Sequence, residues 1–219
     1  TTGAPHGVVH SQRALAANAV AASGRFLDDP RDVRLAWLPM SHALARTGDL
    51  YTAVVRGGCL NVVGDRSRVL DACAALPPTV ILGVPAFFER LEGAVRAGRI
   101  TDLKAALGGQ VRTCISGGAA LRQRTASCFA AAGVPLVEGY GLAEAGPVVT
   151  LSNPRIARPG TVGPPLPGIE LVVDDRDESH GELLVRTPSR GLGIVRPAAH
   201  AVAPAPLEPL PEWLPTGDL

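Results

Sequence analysis

Lysine is nearly missing from this chain, in which Lys104 is the only lysine among 21 basic residues. Any step that needs a lysine amine therefore depends on a single position. Methionine is equally scarce, because Met40 is the only one and the chain begins with Thr1. We therefore expect the sequence to be a central piece of a longer protein.

Neither sign of charge is in excess, since 21 basic residues face 20 acidic ones for a net charge of +1. Without a strongly charged field, the chain has no general attraction to nucleic acid or to an anionic membrane. No apolar run approaches the roughly 18 residues that a membrane span needs, and no signal-peptide pattern opens the chain. With 46% hydrophobic and 19% charged residues, the composition predicts a folded globular protein with neither a nucleic-acid partner nor a membrane span.

The four cysteines lie far apart, at positions 59, 73, 114 and 128. They form no CxxC pair and no Cys/His spacing of the kind that builds a zinc site. Unpaired cysteine behaves as a small hydrophobic residue, so we expect free thiols. Free thiols favour a reducing cytoplasm as the compartment.

Short apolar runs rich in β-branched residues alternate with longer stretches of helical periodicity. The strands are predicted at 33–38, 59–63, 80–84, 111–115 and 134–138. The helices are predicted at 11–23, 43–55, 67–76, 86–97 and 120–132. This alternation is typical of an α/β fold with a mainly parallel sheet flanked by helices.

The pattern changes near Asn153, where proline and glycine become dense. Two apolar runs at 169–173 and 182–186, joined by an acidic turn, predict a β-hairpin. The proline-rich stretch 197–215 predicts an irregular connection. The predicted parts are an α/β part and a smaller β-rich part, over 1–153 and 154–219.

Six segments rich in glycine, small hydroxyl or acidic residues follow one another along the chain. They are TTGAPHGVVH at 1–10, LPMSH at 38–42, ISGGAAL at 115–121, EGYGLAEA at 138–145, GTVGPPLPG at 160–168 and WLPTGDL at 213–219. In this order they resemble the adenylate-forming superfamily, which includes acyl-CoA synthetases, fatty acyl-AMP ligases, peptide-synthetase adenylation domains and luciferase. LPMSHALAR at 38–46 is most similar to the long-chain acyl-CoA synthetases, whereas GYGLAEA at 139–145 is similar to the fatty acyl-AMP ligases.

The resemblance implies a two-step reaction on a carboxylic acid, and both motifs favour a fatty acid. The carboxylate joins the α-phosphate of ATP, giving an acyl-adenylate and pyrophosphate, and the acyl group then passes to a thiol. The implied cofactors are ATP or AMP, Mg²⁺, and the thiol of CoA or of phosphopantetheine, so an acyl carrier protein is a candidate partner. The resemblance also implies that the β-rich part is a distorted barrel.

The resemblance assigns a role to each motif. Asp218 would hold both ribose hydroxyls, because a carboxylate offers two acceptor oxygens, and Tyr140 would stack on adenine. Glu144 would hold Mg²⁺, which prefers oxygen ligands, and together with His42 at the acyl side it is predicted to be catalytic. The other nucleotide-binding positions are predicted at Thr1, Thr2, Gly3, His6, Ser116, Gly117, Gly118, Ala119, Glu138, Gly139, Gly141 and Ala143.

Two positions depart from the family's pattern. His6 stands where the phosphate loop normally carries a lysine, and an imidazole is shorter than a lysine side chain and mostly uncharged near pH 7. Ala143 stands where most members carry a threonine, which removes a hydrogen bond worth about 0.5–1.5 kcal/mol. We also expect the family's first subdomain to precede the chain, and its C-terminal domain, with the catalytic lysine, to lie beyond Leu219.

Two other functions stay open on this sequence. His6 is also consistent with a non-catalytic or reduced-activity homologue that keeps a nucleotide or acyl pocket. An amino-acid-activating domain would need an acidic residue near the pocket mouth to hold the substrate ammonium. Within 38–49 only Asp49 is available for that task.

Overall fold

The computed structural model describes residues 6–177, 180–196 and 206–218 of the chain. The α-helices in these ranges are α1 (Gln12–Phe26), α2 (Ala43–Ala45), α3 (Thr52–Arg56), α4 (Val69–Ala75), α5 (Pro85–Arg96), α6 (Leu103–Ala106) and α7 (Gln123–Ala131). The strands are β1 (Gly7–Val9), β2 (Val33–Ala36), β3 (Cys59–Val62), β4 (Val80–Gly83), β5 (Thr113–Ser116), β6 (Leu136–Tyr140), β7 (Thr150–Leu151), β8 (Glu170–Asp177), β9 (His180–Arg186), β10 (Gly193–Val195), β11 (Glu208–Pro209) and β12 (Leu214–Pro215).

A six-stranded sheet forms the centre of the molecule, in the order β3-β2-β4-β5-β6-β7. The first five strands are parallel and β7 runs antiparallel to β6. Strands β4 and β5 are buried along their whole length, as expected for parallel strands covered on both faces. The sheet confirms the predicted α/β class, and the carboxyl ends of its parallel strands form the edge where such folds bind ligands.

The five predicted strands are all present, but β5 and β6 each start two residues later than predicted. The reason is that Val111 and Val134 are buried in the hydrophobic core before their strands begin, so their apolar character alone did not mark strand residues. The shift makes Ser116 the last residue of β5 and Tyr140 the last residue of β6. Both motif residues therefore reach the carboxyl edge of the sheet.

The helix predicted at 43–55 is interrupted by a π-helical turn over Arg46–Tyr51. In a π-helical turn the hydrogen bonds skip one residue further than in an α-helix. Here the Gly48 carbonyl accepts hydrogen bonds of 2.7 Å from the Arg34 guanidinium and 2.7 Å from the Thr52 hydroxyl. A Cβ at Gly48 would lie 2.7 Å from Leu82 Cδ2, so glycine allows this turn to approach the sheet closely.

Two three-stranded sheets, β12-β9-β8 and β1-β10-β11, make up the β-rich part. The predicted hairpin is confirmed, with strands β8 and β9 longer than the apolar runs that signalled it. Strands β11 and β12 lie in the stretch predicted to be irregular, of which 197–205 lies outside the described residues. Strand β1 pairs with β10, with Val8 opposite Ile194. A strand from the predicted α/β part therefore joins a sheet of the β-rich part, across the boundary predicted near Asn153.

Aromatic side chains, only 4% of the chain, are concentrated on one side of the central sheet. Trp37 and Phe87 have ring centroids 4.7 Å apart, Phe87 and Phe88 5.2 Å, and Phe88 and Phe129 5.5 Å. Phe88 and Phe129 are fully buried. This row of rings packs α5 and α7 against the sheet and leaves its carboxyl edge free for the site.

No helix among the described residues is long and apolar enough to cross a membrane.

Candidate active site

One cavity of about 140 Å³ opens at the carboxyl edge of the central sheet. The residues lining it that the motifs predicted are Ser116, Gly117, Gly118, Gly139, Tyr140, Gly141 and Ala143. They come from the ends of β5 and β6 and from the loops that follow these strands. Two of the motifs, at 115–121 and 138–145, therefore meet in one cavity.

The motif glycines are needed because backbone segments approach each other closely here. A Cβ at Gly141 would lie 1.8 Å from the Pro147 carbonyl oxygen. At Gly117 it would lie 3.1 Å from Leu44 Cδ1. Any side chain at Gly141 would displace the loop, so this part of the motif shapes the cavity.

Tyr140, which lines the cavity, contacts Asp218. The Tyr140 hydroxyl donates a hydrogen bond of 2.5 Å to the Asp218 carboxylate. Burial, together with the Asp218 carboxylate, raises the pKa of Tyr140 to about 12. The phenol therefore keeps its proton near neutral pH and acts as a donor.

Two hydrogen bonds of the Asp218 backbone hold the loop in which Asp218 lies. The Asp218 amide donates to the Thr216 hydroxyl at 3.1 Å, and the Leu183 amide of β9 donates to the Asp218 carbonyl at 3.0 Å. The carboxylate is exposed, held beside the Tyr140 ring and available to a ligand.

A second contact joins the first motif to the fourth. His6 Nε2 donates to the Glu144 carboxylate at 3.1 Å, and both side chains are partly exposed. Glu144 lies in a short 3-10 turn over Ala143–Ala145, whose Ala143 carbonyl accepts a hydrogen bond of 2.8 Å from His10. The structure thus brings the described end of the phosphate loop to the predicted metal ligand.

Glu144 is the carboxylate that the sequence predicts to hold Mg²⁺. No group of three or more His, Cys, Asp or Glu side chains in the described ranges could hold a metal ion. Mg²⁺ commonly takes one or two carboxylates and completes its shell with water and phosphate oxygens. A single, partly exposed Glu144 fits this coordination habit.

Some predicted site residues lie elsewhere. His42 is exposed and precedes α2, whose Ala43 and Leu44 line the cavity although His42 itself does not. Ala119 is exposed and also does not line the cavity. Thr1, Thr2 and Gly3 lie outside the described residues.

Glu138 is the clearest departure from the predicted arrangement. Its carboxylate accepts a hydrogen bond of 3.3 Å from the Leu121 amide, and it lines a separate cleft beside α7. Burial raises the pKa of Glu138. Glu138 lies two residues before the carboxyl end of β6 and does not line the cavity that Gly139 and Tyr140 line.

The sequence motifs did not predict a buried cluster of charged side chains at the inner end of the cavity. The cluster consists of Asp28, Arg34 and Asp49. Arg34 donates to Asp28 Oδ1 and lies 3.5 Å from Asp49 Oδ1. The exposed fractions of the three side chains are 2%, 3% and 0%. Burial raises the pKa of Asp49 to about 7, against the lowering influence of Arg34. The sequence feature that could have indicated this cluster is Arg34, a charged residue inside an otherwise apolar strand.

Comparison with known proteins gives relatives of one kind. The long-chain-fatty-acid–CoA ligase FadD15 of Mycobacterium bovis is 30% identical over 229 residues, covering 84% of this chain and 36% of the relative. A malonyl-CoA ligase solved with methylmalonyl-CoA and AMP has a TM-score of 0.77 at 31% identity, covering 99% of this chain and 47% of that one. The anthranilate CoA ligase AuaEII, solved with anthranoyl-AMP, has a TM-score of 0.81 at 21% identity, covering 99% and 42%, and that likeness supports the fold alone.

The chain thus spans between about a third and a half of the length of the proteins it matches. A model of the family described as AMP-binding enzyme matches residues 1–195. This match includes five of the six motifs and every described residue that lines the cavity. The chain therefore belongs to the AMP-binding enzyme family and is a portion of the adenylate-forming core.

Proposed function

We propose that this protein activates a carboxylic acid with ATP and passes the acyl group to the thiol of CoA. The observation that carries the proposal is one cavity in which an apolar interior, lined by residues such as Phe26 and Leu82, meets the nucleotide motifs at its mouth. An acid and a nucleotide can then react where the two regions join. The curated relative, by its name a long-chain-fatty-acid–CoA ligase, supports a fatty acid as one class of substrate.

The residues at the mouth would position the nucleotide. Tyr140 offers a flat ring for stacking on adenine, and the exposed Asp218 carboxylate offers two acceptor oxygens for the ribose hydroxyls. Gly139 and Gly141, on either side of Tyr140, also line the cavity and let the neighbouring backbone pack closely there. These groups bind and orient ATP without entering the reaction themselves.

Glu144 would hold Mg²⁺, which when bound would neutralise charge on the phosphates. His6 would donate from its imidazole to a phosphate oxygen in place of its present bond to Glu144. In the first step a carboxylate oxygen forms a bond to the α-phosphorus and pyrophosphate leaves. In the second step the thiol sulfur forms a bond to the acyl carbon and AMP leaves.

The thiol of an acyl carrier protein is the alternative acceptor. The described cysteines are all free, which agrees with a cytoplasmic location. Asp49, the acidic residue of 38–49 that was the candidate to hold the ammonium of an amino-acid substrate, is fully buried against Arg34 and does not line the cavity. A non-catalytic homologue remains the competing function, and activity decides between the two.

The test measures pyrophosphate release by the protein in the full length that its gene encodes, with ATP, Mg²⁺ and a panel of carboxylic acids. We expect release that depends on the acid, and we expect Asp218→Ala to lose it. Glu212→Ala changes an exposed carboxylate near the same end of the chain and should keep the activity. Release that is absent with every acid would leave the non-catalytic homologue as the correct function.

A further inference from the structure

We propose that the inner end of the cavity selects a compact carboxylic acid that carries a hydrogen-bond donor, a hydroxyl or an amine, opposite its carboxylate. The proposal rests on the proposed function, because it names the acid that is activated. It is carried by Asp28, Arg34 and the size of the cavity.

Asp28 presents one oxygen that nothing in the described structure satisfies. Its Oδ1 accepts a hydrogen bond from Arg34, whereas Oδ2 is buried without a partner among the described residues. Asp28 lines the cavity and its side chain is 2% exposed. A buried acceptor without a partner carries a desolvation cost, which a ligand that donates to Oδ2 would remove.

Three neighbouring polar groups, the Arg34 guanidinium, the Gly48 carbonyl and the Thr52 hydroxyl, already have hydrogen-bond partners. Arg34 donates to Asp28 and to the Gly48 carbonyl, and that carbonyl also accepts from the Thr52 hydroxyl. Arg34, Gly48 and Thr52 all line the cavity. Asp28 Oδ2 is therefore the free acceptor beside this group, and it favours a substrate that donates. The Ser116 hydroxyl, which also lines the cavity and has no partner among the described residues, is a second polar group there.

The size of the cavity limits the substrate. Its volume of about 140 Å³ is close to the ~150 Å³ of an apolar protein cavity that holds one benzene molecule. Phe26, Leu82 and Ile115 supply apolar walls. A benzoate-sized acid fills such a space, and a hydroxyl or amino group on its far side lies toward the Asp28 end.

The experiment compares acids that differ at that far side. Benzoate, 4-methylbenzoate, 4-hydroxybenzoate, 4-aminobenzoate and palmitate are tested on the full-length protein for acid-dependent pyrophosphate release. Binding of the same acids without ATP is measured in parallel by ligand-observed NMR. A hydrogen bond to a charged group contributes about 1.5–3 kcal/mol, so we expect kcat/KM for the hydroxyl or amino acid to exceed that for the methyl acid at least about tenfold. The two donor acids show which of hydroxyl and amine is preferred.

Asp28→Asn tests the residue itself. The amide can still accept from Arg34, but it turns an NH₂ donor toward the cavity, so the preference for donor substituents should fall to about unity. Asp32→Asn is the matched control, because Asp32 is also a buried carboxylate paired with an arginine, Arg112, but does not line the cavity. The control should keep the preference of the natural protein.

Each outcome decides between the two proposals. Equal kcat/KM for methyl and hydroxyl acids, or palmitate as the best substrate, would overturn this inference and leave the acid activation standing. NMR binding that prefers donor acids, without pyrophosphate release from any acid, would support the inference as a binding property and overturn the proposed function. If Asp28→Asn does not fold, the comparison of acids on the natural protein still decides.

Discussion

Tyr140 and Asp218 are 78 positions apart in the sequence, yet the Tyr140 hydroxyl donates a 2.5 Å hydrogen bond to the Asp218 carboxylate. This bond links the end of β6 to the loop after β12, so a nucleotide motif of the central sheet and one of the β-rich part face the same space. A bound ribose would compete with Tyr140 for the carboxylate. The pair is therefore the place where the binding of a nucleotide can be tested most simply.

Asp218→Ala should weaken AMP binding at least about tenfold, because the two ribose hydroxyls lose a charged acceptor worth about 1.5–3 kcal/mol per hydrogen bond. Isothermal titration calorimetry of the natural protein and the variant with AMP measures the difference. The control ligand is 2′,3′-dideoxyadenosine monophosphate, which lacks both hydroxyls. Its Kd should be the same for the two proteins, and a parallel loss would mean that Asp218 acts by holding the loop instead of the ribose.

His6→Lys should lower the KM for ATP about tenfold, because lysine is a longer and permanently charged donor to phosphate. Steady-state kinetics with varied ATP provide the measurement. AMP, which lacks the β- and γ-phosphates, is the control ligand and should bind both proteins equally. An unchanged KM for ATP would show that His6 does not weaken the phosphate loop.

Asp49 should make folding less favourable as the pH rises. Burial raises the pKa of Asp49 from 3.8 to about 7, so between these values the folded chain holds a proton that the unfolded chain has lost. Each pKa unit corresponds to about 1.4 kcal/mol, and the free energy of unfolding should fall by a few kcal/mol between about pH 4 and pH 7. Arg34 and Asp28 face the same carboxyl and contribute to the value.

Asp49→Asn removes the titrating carboxyl and should flatten that pH dependence. Urea unfolding at several pH values measures how the free energy of unfolding changes with pH. Asp71→Asn, at an exposed carboxylate of α4, is the control and should leave the slope as it is. If the Asp49 variant kept the slope of the natural protein, the pH dependence would have to come from other groups.

Phe88→Ala should cost about 3–5 kcal/mol of folding free energy, because the ring is fully buried between Phe87 and Phe129 and its removal leaves a cavity. Val54, which is 73% exposed, provides the comparison. Val54→Ala should change the free energy of unfolding by less than about 0.5 kcal/mol. Similar losses for the two variants would contradict the placement of the aromatic core.

The sheet and the motif cavity were predictable because they depend on local signals. Periodic apolar runs marked the five parallel strands, and the resemblance of two glycine-rich segments to the family's motifs marked the residues at the ends of β5 and β6. Side-chain direction was less accessible, as Glu138 illustrates. It belongs to the same motif as Tyr140, but its carboxylate accepts from the Leu121 amide and lines a separate cleft, which are tertiary contacts that the motif does not encode.

The ionic cluster could not be predicted from local patterns, because it is made by packing of distant elements. Asp28 follows α1, Arg34 lies in β2 and Asp49 lies in the π-helical turn. That turn in turn depends on Gly48 fitting against Leu82, a contact that no periodicity encodes. The part of the site that would bind nucleotide is thus marked by motifs, whereas the part that would select the acid is set by tertiary contacts.

The most direct measurement of acid activation follows the substrate oxygen. A carboxylic acid labelled with ¹⁸O in its carboxylate is incubated with the full-length protein, ATP, Mg²⁺ and CoA, and the products are analysed by mass spectrometry. We expect one ¹⁸O atom in AMP, because a carboxylate oxygen bonds to the α-phosphorus and stays there when the thiol takes the acyl group. Label in inorganic phosphate, or AMP formed without label, would contradict activation through an acyl-adenylate.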